Sequence, residues 1–411
     1  MKILFFTENF PPETNAAATR VYERALYWVK WGHDVTVITC QPNFPHGRVF
    51  DGYQNRFATE VMDGMRIIRV RTYIAPNRAV IKRVLDFLSY MVSAYFAAKH
   101  EPVPDVVVST SPQFFTAVAA WRYAARAKCR YVFELGDLWP ASIAAVGAMR
   151  TNFLLRLIER LELRMYRDAD AVVALTQAFK DNLVARNIPA NKIAVVINGV
   201  DLWRYAPSPR NQALANELDI KTDNIVIGYI GTHGMAHALG NILDAAARLR
   251  DHKNIKFLFA GAGAERDGLM ARATAEKLEN VIFLASQPKS RMPAVWSQCD
   301  VALVHLKNSP IFAGVIPSKI FEAMAMGLPV LFAGPTGEGS EIVKAADTGP
   351  VIAAEDPEAL ATSVLQLATD PDMRRQFAAN SLKAAAAYSR EAQARKMIDV
   401  LAHVVGEGAK S

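Results

Sequence analysis

Short apolar runs bounded by turn residues recur along the whole chain, and between them apolar residues fall at helical spacing. In the first half the runs predict strands at Lys2–Thr7, Asp34–Cys40, Met65–Arg71, Asp105–Thr110, Arg130–Leu135, Ala171–Thr176 and Lys192–Ile197. Continuous rather than alternating apolar runs suit parallel strands covered on both faces. Ala17–Trp31 reads as the helix after the first strand, ended by Gly32. The second half repeats the alternation, with strands at Ile225–Ile230, Ile255–Ala260, Val281–Leu284, Val301–Leu306, Pro329–Ala333 and Pro350–Ala353. Helices at Asp356–Ala368, Asp372–Tyr388 and Glu391–Val405 follow. The pattern predicts an α/β protein of two Rossmann-like domains with parallel sheets.

The turn Asn198-Gly199-Val200-Asp201 closes the first half, and Ala206–Asn224, with Pro207 and Pro209, reads as an exposed lead into the second. The expected division is residues 1–200, residues 201–388 and a C-terminal helix over 389–411. A length of 411 residues fits two cores better than one. Hydrophobic residues at 51% and charged residues at 21% mark a globular chain. Cys40, Cys129 and Cys299 lack metal or redox spacing and fit a reducing cytosol. Glu8 arrives too early for a signal peptide.

The charge is one-sided. Residues 1–200 hold 25 Lys and Arg against 17 Asp and Glu, a balance of +8, and residues 201–411 a balance of −1. No recognition motif or basic-aromatic platform accompanies the excess, so nucleic acid is not the expected partner. An anionic membrane surface or a phosphorylated lipid suits a one-sided basic domain.

Candidate chemistry centres on Gly314–Gly334. Pro317 presets a first helical turn, Ser318 and Lys319 follow, and Ile320, Phe321, Ala323, Met324 and Ala325 continue a short apolar helix stopped by Gly327 and Pro329. Backbone N–H groups at such a start, with a lysine beside them, suit a phosphate. Glu322, about one turn further in, suits the two hydroxyls of a ribose. Gly231-Thr232-His233-Gly234-Met235-Ala236-His237 follows the first strand of the second half, where α/β folds place ligands. The spacing of His233 and His237 also suits a metal on a helix, although no third ligand is visible, and two loop histidines without any ligand is the plainer reading. Phe259-Ala260-Gly261-Ala262-Gly263 reads as a tight strand-to-helix turn. The glycine-rich fingerprint of a dinucleotide site is missing after the first strand, which argues against NAD or FAD. Asp168-Ala169-Asp170 reads as structural.

The run Pro317-Ser318-Lys319-Ile320-Phe321-Glu322-Ala323-Met324-Ala325-Met326-Gly327-Leu328-Pro329-Val330 resembles the donor-binding signature of the family-4 retaining glycosyltransferases, of GT-B fold, and within them the bacterial O-antigen and exopolysaccharide subgroup. The resemblance implies two Rossmann-like domains facing a central cleft. The second would hold a nucleotide-diphosphate sugar, UDP-linked, and the first a lipid-linked or saccharide acceptor. It implies that the 389–411 helix crosses back to the first domain. Pro317, Ser318, Lys319, Ile320 and Glu322 would contact the donor, with Gly231, Thr232, His233, His237 and Gly261 completing its site. Thr232 and His237 stand where many relatives have an arginine and a lysine. Thr14–Arg20 matches a loop near the donor pyrophosphate, so Asn15 and Arg20 join the candidates, a surface position for Arg20 being equally open. Gly136 replaces a histidine common in relatives, which makes Asp137 the candidate for orienting or deprotonating the acceptor hydroxyl, with Glu134 second and a plain helix-capping aspartate the alternative. Gly314 stands where many relatives have a first glutamate. Catalysis would rest on Asp137, Lys319 and Glu322 without a metal. A GT-B nucleotide-sugar epimerase and a non-catalytic nucleotide-sugar-binding subunit are the rival readings.

Arg78–His100 bears on location. From Val84 to Ala98 only Asp86 is charged, and fifteen such residues fall short of the about 20 needed to span a bilayer. One reading is a core helix. The other adds that Arg78, Lys82 and Arg83 face anionic lipid while Phe87, Tyr90 or Met91 dips into the interface. The expectation is a cytoplasmic protein, peripheral at the inner face of the plasma membrane.

Overall fold

The computed structural model describes residues 1–13, 15–44, 47–74, 80–111, 113–137 and 153–408. Its contacts divide into two units, Met1–Asn198 with Gln393–Ser411, and Gly199–Ala392.

The first unit is built on an eight-stranded sheet: β1 (Lys2–Phe6), β2 (Asp34–Cys40), β3 (Ala58–Met62), β4 (Met65–Val70), β5 (Val106–Thr110), β6 (Arg130–Leu135), β7 (Ala171–Ala174) and β8 (Ile193–Val195). The order is β3-β4-β2-β1-β5-β6-β7-β8, and only β3 runs antiparallel to its neighbour. β1 is central, with Ile3 opposite Val35 on one side and Val106 on the other. Edge strand β3 was not expected from the apolar pattern, because its residues alternate between half-buried and exposed. Its signal is the Asp63-Gly64 pair, both at positive φ (48° and 81°), the backbone a two-residue hairpin turn demands.

Helix α1 (Ala16–Lys30) and the C-terminal helix Arg390–Gly408 cover one face. Val21, Ala25 and Trp28 of the first, and Ala394, Met397 and Leu401 of the second, pack on Ile3, Phe5 and Val37. The Trp28 indole donates to the Ala394 carbonyl at 3.1 Å and ties the two helices together. On the other face lie α2 (Val80–Ala98) and α3 (Phe114–Ala127), through Tyr90, Ala94, Ala117 and Ala120 against Leu4, Phe6 and Ile38. The Tyr90 hydroxyl is shared between the carbonyls of Ile38 (2.8 Å) and Thr7 (3.0 Å). This corrects two of the three expected lipid-facing residues, since Tyr90 is fully buried and Met91 packs on the core, whereas Phe87 is half-buried. The exposed apolar stripe of α2 is instead Leu85, Val92 and Phe96, between exposed Lys82 and Lys99. Arg78 and the side chain of Arg83 lie outside the described residues.

The second unit carries six parallel strands: β9 (Ile225–Ile230), β10 (Ile255–Ala260), β11 (Val281–Leu284), β12 (Val301–His305), β13 (Val330–Ala333) and β14 (Val351–Ile352). Their order is β11-β10-β9-β12-β13-β14. The chain steps outward from β9 to β11, then returns to the far side of β9 with β12, so the switch point falls between β9 and β12. Ile227, Tyr229, Phe257, Phe259 and Leu303 meet Ile242 and Leu243 of helix Gly240–Arg248, and Leu360 and Val364 of helix Pro357–Thr369. The lead segment before β9 contains a short helix, Gln212–Glu217, capped by Asn211.

At the carboxyl end of β6 an ionic cluster is buried. Glu134 Oε1 lies 2.5 Å from Arg24 Nη1 and 3.3 Å from Arg20 Nε, and Arg20 Nη2 donates to Thr110 Oγ1 at 3.0 Å. Burial alone would raise the Glu134 pKa, but Arg24 and Arg20 outweigh it and hold the carboxyl below its usual range. Replacing Glu134 with Gln leaves two buried guanidinium groups without their anion. Glu134→Gln is therefore expected to destabilise the protein by about 3–5 kcal/mol at neutral pH, read as a lower urea midpoint. Because the folded carboxyl is depressed, its contribution is present above the unfolded pKa and is lost as pH falls through the folded one. The gap between wild type and variant should close only below about pH 4. A gap that persists unchanged into acid would show that packing, not charge, is its source.

Candidate functional site

The site forms where the second unit's switch point leaves strand ends uncovered. Beyond β9 the chain turns at Gly231, with φ +143°. A Cβ at Gly231 would stand 3.0 Å from Lys319 Nζ, and one at Gly261, beyond β10, only 1.9 Å from the Gly231 carbonyl. The two glycines thus let neighbouring strand ends and the lysine close on one another. His233 N–H donates to the Ala262 carbonyl (2.9 Å) and its own carbonyl accepts from Glu265 N–H (3.0 Å), which fixes the loop. Thr232 is exposed, and its carbonyl accepts from the Tyr229 hydroxyl at 2.8 Å.

The Lys319–Ala325 helix opens opposite these turns. Its first N–H groups are partly committed: Ile320 N–H bonds the Pro317 carbonyl (3.1 Å) and Phe321 N–H that of Ser318 (3.0 Å). Ser318 is exposed, whereas the Ile320 side chain is fully buried and belongs to the core. Lys319 is 9% exposed, and its ammonium has no hydrogen-bond acceptor among the described residues. It rests over the Tyr229 ring, 3.6 Å from the centroid. Burial pulls its pKa down to about 7, against the opposing pull of Glu322. Glu322 is half-buried, one turn along, and Oε2 accepts from the Trp296 indole N–H at 3.0 Å. Burial raises its pKa, with Trp296, Lys319, Arg390 and Lys289 acting the other way.

Two histidines stitch the switch point. His305, the last residue of β12, bonds the His237 carbonyl through Nδ1 (2.7 Å) and the Asn241 side-chain amide through Nε2 (2.9 Å). His237 Nδ1 returns a contact to the His305 carbonyl at 3.3 Å. Burial lowers His305 to about 4, so it is neutral. A carbonyl requires a donor, and a neutral imidazole has one N–H, so the shorter contact holds the His305 proton on Nδ1 while Nε2 faces Asn241 Oδ1. By the same reasoning, neutral His237 offers only a lone pair at Nε2 and can serve a phosphate only when protonated. His233 is fully buried between Tyr229 and Phe259, and neither ring nitrogen has a hydrogen-bond partner among the described residues. Burial, reinforced by Arg266, Lys319 and His237, lowers it to about 4. The helical metal spacing proposed for His233 and His237 does not form: His233 lies in the loop, and only Met235–His237 makes a 3-10 turn. Among the described residues no three His, Cys, Asp or Glu side chains group as a metal site.

Tyr229, Trp296, His305 and Arg266 were not singled out from the sequence. The first three sit in apolar runs that read as core. Arg266 opens the helix after the Gly261 turn, half-buried, with no partner for Nε among the described residues. It is a second cation facing His233.

The first unit gathers the remaining candidates at the ends of β1, β5 and β6. Asn15 caps α1 by accepting from Ala18 N–H (2.9 Å), and Arg20 is engaged with Glu134 and Thr110 rather than lying on the surface. Thr14 lies outside the described residues. Asn9 is held by Gln113 (2.7 Å) and by Glu13 (2.8 Å), whose other oxygen accepts from Asn43 and Phe44 N–H. Asp137 is half-buried, its N–H 3.3 Å from Ser111 Oγ, and residues 138–152 beyond it lie outside the described residues. Glu134, second candidate for a base, is buried, ion-paired and depressed in pKa, so it is a poor proton acceptor. Asp170 accepts from Arg130 (2.6 Å) and Tyr131 N–H (2.8 Å), a structural role.

Both halves of the chain match known families. Residues 15–199 match the Glycosyl transferase 4-like domain, and residues 211–384 match Glycosyl transferases group 1. The chain is a glycosyltransferase of the GT-B fold. It is 26% identical over 378 residues to WcaI of Escherichia coli K12, named as a colanic acid biosynthesis glycosyl transferase, covering 89% of this chain and 92% of that one. Among solved structures it resembles the sucrose-phosphate synthase of Thermosynechococcus elongatus (TM-score 0.75, 16% identity, 99% of each chain). It also resembles Anabaena HepE in complex with UDP and glucose (TM-score 0.70, 18% identity, 98% of this chain and 99% of that one).

The Trp296–Glu322 bond gives this glycosyltransferase a test. Trp296→Phe keeps a ring and removes one N–H donor from the carboxylate. It should weaken UDP binding by about 1–2 kcal/mol, roughly five- to thirtyfold by calorimetry, with little change in urea midpoint. Unchanged affinity would show that the indole does not orient Glu322 for a ligand.

Proposed function

We propose that this glycosyltransferase is a retaining enzyme that transfers a sugar from a UDP-linked donor to a lipid-linked or saccharide acceptor in bacterial surface polysaccharide synthesis. The observation that carries the reading is the Lys319 ammonium, buried without an acceptor beside Gly231 at the sheet's switch point. An anion there would relieve an uncompensated charge. A diphosphate fits, with Arg266 and protonated His237 as further donors, and the Glu322 oxygen not held by Trp296 accepts from the ribose. The HepE complex with UDP and glucose and the name of WcaI support donor and pathway class. Protein cations rather than a metal would then stabilise the leaving diphosphate, and a donor phosphate oxygen would take the acceptor proton. Asp137 in the first unit would orient the acceptor. Gly314 closes a 3-10 turn before the helix and leaves the sugar without a carboxylate at that position.

Mass spectrometry of products, with UDP-sugars and polyprenyl-phosphate-linked acceptors, tests the reaction. A glycosylated acceptor supports transfer, an altered nucleotide sugar without acceptor indicates an epimerase, and neither indicates a binding subunit. Within that assay Glu322→Ala should lose several kcal/mol of transition-state stabilisation, roughly 100-fold or more in kcat/KM, and Glu322→Gln less. Near-normal turnover in a folded Glu322→Ala protein would remove Glu322 from the donor site.

The membrane part of the proposal rests on the α2 stripe. Leu85, Val92 and Phe96 are 47%, 49% and 54% exposed. Among the described residues no helix is long and apolar enough to cross a membrane. An apolar stripe ending in lysines suits shallow insertion into an anionic surface. Binding to phosphatidylglycerol vesicles should weaken as salt rises, since the Debye length is about 8 Å at physiological strength. Val92→Glu with Phe96→Glu should abolish it and leave UDP binding intact. Failure of the wild type to bind such vesicles at low salt would refute it.

A further inference from the structure

The Lys319 ammonium occupies an unusual resting place. It has no hydrogen-bond acceptor among the described residues, lies 3.6 Å from the centre of the Tyr229 ring, and touches the space above Gly231 where a ligand phosphate would approach. A ring face attracts only the ammonium form of a lysine, and most strongly away from water. The Tyr229 hydroxyl is used elsewhere, on the Thr232 carbonyl, so the ring is held rigidly under the lysine. We propose that Tyr229 is a positioning residue of the donor site: its ring parks the Lys319 ammonium, and a bound nucleoside diphosphate draws the ammonium off the ring. This rests on the donor reading above and adds a residue and a coupling to it.

The coupling is to protons. Around the ammonium stand Glu322 on its own helix, Tyr229 on β9, His233 and His237 on the following loop and His305 on β12. Further out, Arg266 faces His233, Glu265 faces Tyr229, Glu355 faces His305, and Lys289 and Arg390 face Glu322. Burial brings the lysine pKa down to about 7, against the opposing pull of Glu322, so the lysine is easily deprotonated above neutral pH. A diphosphate favours the charged form, so its binding takes up a proton above that pKa and weakens as pH rises. Removing the ring acts oppositely on two quantities. It frees the ammonium for the ligand, and it lowers the fraction of lysine charged beforehand. Below the lysine pKa only the first counts, and well above it the two cancel.

The test measures UDP affinity across pH, with GDP as a second probe, for the full chain and three variants. Tyr229→Phe keeps the ring and should match the wild type. Tyr229→Leu should bind UDP several-fold to about tenfold more tightly at about pH 6 and converge on the wild type at about pH 9. Weaker or equal binding by folded Tyr229→Leu at the lower pH would overturn the proposal. A second readout avoids dependence on that variant's folding. Calorimetry of the wild type in two buffers of different ionisation heat should show net proton uptake on UDP binding at about pH 8, and Lys319→Met should lose it. Equal uptake in both proteins would also overturn the proposal, while leaving the donor reading standing. If the wild type binds neither UDP nor GDP, the donor reading falls and this proposal falls with it.

Discussion

A buried ammonium without an acceptor is costly, and much of the second unit is arranged around the one at Lys319. Desolvation works against the charge, while the Tyr229 face and the nearby Glu322 carboxylate work for it. Neither neutralises it completely, so the site retains an affinity for an anion. The neighbours are constrained accordingly. Gly231 can carry no side chain without meeting Nζ, Gly261 can carry none without meeting Gly231, and the three histidines stay neutral instead of adding charges that would repel the lysine.

The sheet order puts this charge where a ligand can reach it. With β9 and β12 adjacent and their connections departing to opposite sides, the carboxyl ends of both strands are left uncovered. His305 and His237 close the backbone gap between those ends by reciprocal imidazole-to-carbonyl contacts. The first unit solves a similar problem with opposite charges in contact: Glu134 pairs with both Arg24 and Arg20 at the end of β6, which makes that cluster a structural support rather than a receptor. The two buried guanidinium groups share an anion and the Lys319 ammonium is left for a ligand, and that difference separates scaffold from site.

The sequence made the framework readable because fully buried parallel strands are continuous apolar runs. β2, β6, β9, β10 and β11 span the predicted residues, and the others differ at their ends by one to three residues. β3 escaped because a half-exposed edge strand alternates, although the Asp63-Gly64 turn announced it. At the candidate site, motif residues with polar groups stood out: Ser318, Lys319, Glu322 and the glycines. What positions them did not. Tyr229 and Trp296 look like ordinary core aromatics until coordinates show a ring under an ammonium and an indole N–H on a carboxylate. The α2 stripe failed differently. A helix apolar on every side does not disclose from spacing alone which face the sheet takes, so Tyr90 and Phe96 could not be told apart.

The central claim is that the turns after β9 and β10 and the start of the Lys319 helix form one anion-receiving nucleotide site. Hydrogen–deuterium exchange of the full chain with and without UDP addresses it without presupposing an acceptor or a product. Slowed exchange is expected at 231–238, 261–266 and 318–323 together, with the edge strands β3 and β14 unaffected. Protection confined to the first unit, or absent from those three segments while UDP is bound, would contradict it.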